Sequence, residues 1–446
     1  MAKITSESLF RWENIEISSD MDRLRLVLES IPDRELINTL VQERKDRRND
    51  YPVVALWNSI LAGIVFGHES IESLRRELSR NAELRQVCGF EIFGGDIVVP
   101  PACVYSRFLA KLFKHHHIID KMFEDLVDQL EELLPSFGKC LAIDSKAIHT
   151  YAKKASGSDK EADVGTKKKL RKRKSDGTTM VEIKNWFGYK LHLIVDSNYE
   201  LPVSYKVTKA SENDSPHLLP MVNKLKHDHP DLVERCNCLS GDKGYDCGNT
   251  NRVLTNNYNI KPVIDNRGMW QECQQYGRAI NEKVVDTIYY TEKGEVLCRY
   301  MNTSDESKNY APMAFCGYDK SRKSLKYRCP AAAYGMRCHQ RGVCNAGKHS
   351  GYGRIVRIPL AKDYRIFTPL ARSSYGWQRE YNKRSAVERV YSRLDLNFGF
   401  EKHYIRGMKK MRLRVGLALL VMLSMAVGRI KNDQQEDMRS LIKMVA

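Results

Sequence analysis

Residues 141–148, LAIDSKAI, decide how this chain folds. Leu141, Ala142 and Ile143 are apolar in succession and read as a buried strand. Asp144 then sets a carboxylate at the strand's exit. A lone aspartate there often does no more than cap a turn, so its meaning depends on what the rest of the chain brings to the same place. The stretch CNCLSGD at residues 236–242 repeats the pattern, a short buried strand ending in Asp242.

Between and after these strands the pattern alternates. FGYKLHLIVDS (187–197) places Phe187, Tyr189, Leu191, Leu193 and Val195 on one face, and LPVSYKVTKA (201–210) groups Val203, Tyr205 and Val207. Ser197 and Asn198 lie in the turn between them, which predicts a hairpin. Residues 215–228 suit a helix, residues 246–256 a short helix, and NIKPVI (259–264) a further strand. The order β-β-β-α-β-α-β implies an α/β (α+β) fold with a mixed sheet covered by helices.

The flanking regions differ in character. Residues 1–136 read as a helical domain, a basic module expected to bind DNA, with a scaffold as the alternative: VVALWNSILAGIVFG is apolar throughout, and SIESLRRELSRNAELRQ is amphipathic with Ser70 as its N-cap. After Pro100 and Pro101 a helical periodicity runs from residue 106 to 135. His115, His116 and His117 point in different directions on a helix and are read as surface residues. Residues 137–265 form the first part of the sheet domain. Residues 266–370, rich in Gly, Tyr, Arg and Cys, break the rhythm as an insertion. Residues 371–446 complete the core, with one helix from near 377 past Asp395 and another over 407–430.

The chain has 446 residues, of which 42% are hydrophobic and 29% charged, enough for a sizeable core, and carries a net charge of +18. A polyanion is therefore the first partner to consider. The apolar run from Val415 to Val427 is shorter than the roughly 20 residues of a membrane span and is flanked by Arg414 and Arg429, which predicts a buried core helix. The polar start of the chain carries no apolar signal segment, and the twelve cysteines have no regular disulfide spacing, so reduced thiols in a cytoplasm are expected. The tract KKKLRKRK (167–174) has seven positive charges in eight residues. Like-charge repulsion predicts a mobile arm there, and phosphate contact is the expected role for Lys167, Lys168, Lys169, Arg171, Lys172, Arg173 and Lys174.

Two strand-end aspartates invite a third acid. In EYNKRSAVERVYSRLD, Tyr381, Arg384, Glu388, Tyr391 and Asp395 step by three and four residues along one helical stripe, beside the apolar stripe of Val387, Val390 and Leu394. Glu388 therefore points toward the strand ends. Three converging carboxylates stay ionised only beside cations. Oxygen ligands favour Mg²⁺ or Mn²⁺, and two such ions would serve an in-line phosphoryl displacement. The expected chemistry is water cutting a strand first and the freed 3′-hydroxyl attacking next.

These stretches together resemble the DDE transposases of bacterial insertion sequences, whose catalytic domain has a ribonuclease H-like fold. LAIDSKAI resembles the segment with the first Asp, GYKLHLIVD the following strand, GDKGYD the segment with the second Asp, and YNKRSAVERVYSRL the Tyr-x2-Arg-x3-Glu signature. Residues 51–113 look like the family's N-terminal helical domain. The resemblance implies that Asp144, Asp242 and Glu388 hold the metals, and that Tyr381 and Arg384 contact DNA phosphate. Tyr245 also matches the family pattern and is expected among the DNA contacts, and Lys243 and Lys190 are further phosphate candidates. The signature often continues with a Lys seven residues after the Glu; here that position is Asp395. The implied partners are double-stranded DNA (the element's terminal inverted repeats and a target) and a second copy of the chain, in a prokaryotic cytoplasm at the nucleoid. The alternatives are a nuclease without strand transfer, or a catalytically silent DNA-binding protein derived from a transposase.

The insertion holds Cys298, Cys316, Cys329, Cys338 and Cys344, with His339 and His349 among them and no CxxC pair. Cys316, Cys329, Cys338 and Cys344 are the first-choice ligands for a structural Zn²⁺. Trp270 is read as a core or lid residue in preference to a base-stacking one.

Overall fold

The structure, a computed structural model, describes residues 19–44, 51–90, 99–154, 159–172, 179–270, 277–280, 288–302, 305–336, 338, 344 and 352–439. Among the described residues the first elements are the helices α1 (Ser19–Ser30), α2 (Arg34–Gln42), α3 (Val53–Val65), α4 (Ile71–Arg80), α5 (Ala82–Cys88), α6 (Ala102–Lys114) and α7 (His116–Leu133). α3 is buried along almost its whole length, as its apolar sequence requires. Ser70 caps α4 by accepting from the Ser73 amide at 3.2 Å. The periodicity over residues 106–135 belongs to two helices, because the chain breaks at His115. The histidine run does not gather: His115 pairs with Glu43 and His116 with Asp120.

The sheet domain contains β1 (Cys140–His149), β2 (Asp163–Lys172), β3 (Thr179–Asp196), β4 (Leu201–Lys209), α8 (Ser215–Asp228), α9 (Pro230–Arg235), β5 (Cys238–Gly241), α10 (Gly248–Asn257) and β6 (Lys261–Ile264). The strands run in the order β2-β3-β1-β5-β6, with β4 also on β3. β1, β3 and β4 are antiparallel neighbours, whereas β5 and β6 lie parallel to β1. This α/β arrangement is consistent with the expected ribonuclease H-like core. The β3–β4 hairpin forms as predicted.

One strand was missing from the predicted order. Residues 167–172 of the basic tract continue β2 and pair with β3 from Lys167↔Lys184 to Lys172↔Thr179, so this part of the tract is a ribbon rather than a loose arm. Successive residues of a strand alternate between faces, which lets a strand carry a like-charged run that a helix or compact loop would reject. Arg173 and Lys174 lie outside the described residues.

The described residues of the insertion form two small sheets. One joins β7 (Arg278–Ala279), β8 (Ile288–Tyr290), β9 (Val296–Asn302) and β10 (Asp305–Pro312); the other joins β11 (Ala314–Asp319), β12 (Ser324–Arg328) and β13 (Ile355–Pro359), with α11 (Pro330–Tyr334) between the last two. They share a small core of their own, including Tyr290, Leu325, Tyr327, Ile358 and Phe367. Trp270 packs at its margin, edge-on to Tyr290 and under the Arg278 guanidinium at 4.4 Å, in keeping with the core or lid reading.

The chain then forms α12 (Tyr375–Asn382), α13 (Ser385–Phe398) and α14 (Met408–Lys431). The long helix expected from residue 377 is thus two helices, broken at Lys383 and Arg384 while the side-chain stripe continues across the break. α14 alone is long and apolar enough for a membrane among the described residues, yet it is almost wholly buried inside the protein. It packs on α1, α3, α6, α7 and β4. Through it the N-terminal helices and the central sheet share one continuous core.

Candidate active site

Asp144 does not stand at the end of its strand. It is the fifth residue of β1, whose ladder with β3 runs on to His149↔Gly188. What ends just before it is the pairing with β5, at Ile143↔Gly241. The next residue on each side is Asp144 and Asp242, so both carboxylates enter the gap where two parallel neighbours part. The expected strand exit is corrected to this fork: antiparallel pairing on one edge extends β1 after its other edge has opened. Locally, Asp144 Oδ1 accepts from the Ser145 amide at 2.7 Å and Asp242 Oδ1 from the Gly244 amide at 2.6 Å.

α13 supplies the third acid. Val387, Val390 and Leu394 are fully buried on the sheet. The neighbouring stripe faces β1 as the spacing implied. The Tyr391 hydroxyl lies between the carbonyl oxygens of Asp144 and Leu191, at 2.8 and 2.9 Å. Arg384 spans two of the acids: its guanidinium donates to Asp144 Oδ2 at 3.0 Å and to Glu388 Oε1 at 2.8 Å. Glu388 itself is exposed, at 56% of its side-chain surface. Tyr381 stacks on Trp377 at 4.8 Å, beside Arg384.

The electrostatics are those of crowded acids. Burial, and then the charge of Asp242, push the Asp144 carboxyl up to about 6, against the pull of the Ser145 amide, Arg384 and Lys167. Lys167, at the root of the basic ribbon, therefore lies within electrostatic reach of the site. Carboxylates that offer only oxygen, two of them side by side at the fork, are a donor set that suits hard divalent cations such as Mg²⁺ or Mn²⁺.

Several expected phosphate contacts are engaged elsewhere. Lys190 Nζ donates to Asp214 Oδ1 at 3.0 Å and to the Glu212 carbonyl at 2.7 Å. Tyr245 is fully buried and its hydroxyl meets His192 Nδ1 at 3.2 Å, so the DNA contact expected of it is corrected to a place in the packing beneath the site. Lys243 is exposed beside Asp242. Asp395, the departure from the signature, pairs with Lys146 Nζ at 2.6 Å, and Glu401 holds the same ammonium at 2.6 Å.

Sequence reasoning missed Lys146 and His192. Lys146 was within reach, since it stands two residues from Asp144 and so on the same face of β1. His192 carried only the weak signal of a polar residue inside an apolar strand. It is buried between Tyr245 and Thr208, and burial lowers it to about 3, so it is neutral.

In the insertion, burial and then the thiols of Cys344, Cys329 and Cys338 raise Cys298 to about 12, which places these four in one neighbourhood. Cys316 is exposed on β11 and bonds back to the Ala314 carbonyl. His339 and His349 lie outside the described residues.

A family model described as "Transposase DDE domain" matches residues 135–424. No curated protein and no solved structure matches the chain.

Proposed function

Because the chain belongs to the transposase DDE domain family, we propose that it cuts the ends of its own insertion element and joins the freed 3′-hydroxyls to target DNA. The observation that supports this reading is the entry of Asp144 and Asp242 side by side into the fork between β1 and β5, with Arg384 bridging Asp144 to the exposed Glu388. The three acids would hold two divalent ions, which supply positive charge to the attacking and leaving oxygens of an in-line displacement.

The chain's own groups do the rest. The backbone amides of Ser145 and Gly244 fix the rotamers of the two aspartates. Tyr391 ties α13 to β1 and so sets the height of Glu388 above the fork. Arg384, Lys167 and exposed Lys243 offer positive charge where a phosphodiester must approach two aspartates. Tyr381, stacked on Trp377, forms an aromatic wall beside Arg384. Joining two element ends in one event calls for two such sites, so a dimer on DNA is part of the proposal. A structural Zn²⁺ in the insertion remains part of the proposal, with Cys329, Cys338 and Cys344 kept from the expected set and Cys298, which those three thiols influence, taking the place of Cys316, exposed on β11.

The test is Mg²⁺-dependent cleavage of DNA bearing the element ends, followed by transfer of a labelled end into a plasmid. Cleavage with transfer supports the reading. Cleavage without transfer makes the chain a nuclease, and binding without cleavage makes it a silent DNA-binding protein. The basic ribbon gives a separate prediction. Replacing Lys167, Lys168 and Lys169 with Ala is expected to weaken binding to all duplexes alike and to reduce the slope of log affinity against log salt by roughly one for each phosphate the ribbon no longer neutralises. An unchanged slope, measured by fluorescence anisotropy across a salt series, would remove the ribbon from the interface.

A further inference from the structure

The strands that carry the two aspartates bear a second cluster at their other end. Cys140 pairs with Cys238 across the parallel β1–β5 ladder, four residues before Asp144 and Asp242 respectively. Glu380 of α12 reaches down between the thiols. Its Oε2 lies 3.8 Å from Cys140 Sγ and 3.6 Å from Cys238 Sγ. All three ligand atoms fall within 4.8 Å of one another. Around them are Val263 and Trp377, with Leu370 and Tyr381 at the margin, so the cluster sits in an apolar pocket.

Two thiols and a carboxylate are costly to bury there without a cation. Two are present: Lys383 Nζ lies 2.7 Å from Glu380 Oε2 and 3.7 Å from Cys140 Sγ, and the Arg379 guanidinium pairs with the other carboxylate oxygen, Oε1, at 3.1 Å. The pocket is thus built around positive charge, yet sulfur is a poor partner for an ammonium and a good one for a soft or borderline metal. The spacing also fits. A tetrahedral ion bonded to sulfur at about 2.3 Å and to oxygen at about 2.0 Å holds those two atoms roughly 3.5 Å apart.

We propose that Cys140, Cys238 and Glu380 form a zinc site, distinct from the carboxylate site at the fork, with Lys383 occupying the seat of the ion when no metal is bound. Its fourth position is open to water. The ion clamps β1, β5 and α12, the last of which leads directly into the helix bearing Glu388. At about 3.3 Å per strand residue it sits about 13 Å from the catalytic aspartates. That is too far to take part in chemistry and close enough to brace the elements that position it.

The test uses the full-length chain under reducing conditions with the insertion intact, loaded with Co²⁺ as a spectroscopic substitute for Zn²⁺. Wild type is expected to show thiolate-to-cobalt charge transfer that falls by one site's worth in Cys140→Ser/Cys238→Ser. Any metal held by the insertion cancels in that difference, and the oxygen-only site cannot produce the band. Lys383→Gln is expected to tighten Zn²⁺ binding about tenfold, because the competing ammonium is gone, whereas a merely structural lysine would leave the affinity unmoved. Should the double variant misfold, the Lys383→Gln titration still decides the matter. Equal cobalt spectra in wild type and double variant, an affinity unchanged in Lys383→Gln, or recovery of Cys140 and Cys238 as a disulfide with no metal uptake would each overturn the proposal.

Discussion

Asp144→Asn, Asp242→Asn and Glu388→Gln are each expected to lower Mg²⁺-dependent cleavage of element-end DNA by on the order of 10³-fold while leaving DNA binding nearly intact. Each swap removes charge and keeps shape, so the loss reports on the site rather than on the fold. Asp144→Asn should also make the protein more stable. The folded-state carboxyl is raised from 3.8 to about 6, by burial first and by Asp242 second. A raised carboxyl binds its proton more tightly in the folded chain than in the unfolded one. Stability is therefore undiminished below about pH 4, falls as pH rises toward about 6, and stays lowered above that, by on the order of 2–3 kcal/mol. The amide variant avoids this cost, keeps the Ser145 hydrogen bond and leaves Arg384 its second partner, Glu388. Its gain in melting temperature without metal should be largest near about pH 8 and vanish near about pH 4. A variant no more stable than wild type at about pH 8 would place Asp144 in a more solvated site than the fork provides. A variant that cuts normally would remove it from the chemistry.

Gly188→Ala is expected to destabilise the chain by about 3 kcal/mol or more, through two causes that add. The residue has φ of +156°, where a side chain is strained. A Cβ there would also lie 2.2 Å from the Ile148 carbonyl oxygen and 2.7 Å from the Thr150 amide nitrogen, backbone atoms that cannot step aside cheaply. Gly188 is where β3 changes partners: it faces His149 of β1 and Asp163 of β2. A shift there would disturb the far end of β1, so DNA cleavage should fall together with the midpoint of chemical denaturation. Gly268→Ala, whose added Cβ would meet nothing within 4 Å, is the neutral comparison and should leave that midpoint in place.

Much of this architecture was legible from period and spacing. The alternation over residues 187–210 gave the hairpin, and the apolar run in α14 a buried helix. The stripe from Arg384 to Asp395 does face β1. The failures have physical causes. Charge repulsion argued against order in residues 167–172, but a strand beside a long partner gains a backbone ladder that side-chain charge does not cancel. The break at Lys383 and Arg384 keeps the helical phase, so periodicity could not reveal it. The burial of Tyr245 and the capture of Lys190 by Asp214 depend on tertiary neighbours. The Cys140–Cys238–Glu380 cluster was invisible for the same reason, since its members come together only when β1, β5 and α12 pack.

α14 has a consequence for how the protein is made. The N-terminal helices emerge first from the ribosome, yet the apolar faces of α1, α3, α6 and α7 close against a helix that begins at Met408. Those faces stay without their partner for most of synthesis. Nascent chains arrested before α14 should remain sensitive to protease and attractive to chaperones, and a single late addition should convert both the helical layer and the sheet to the native state together. A premature stop codon anywhere upstream would therefore yield a product for the degradation machinery rather than a freestanding DNA-binding fragment.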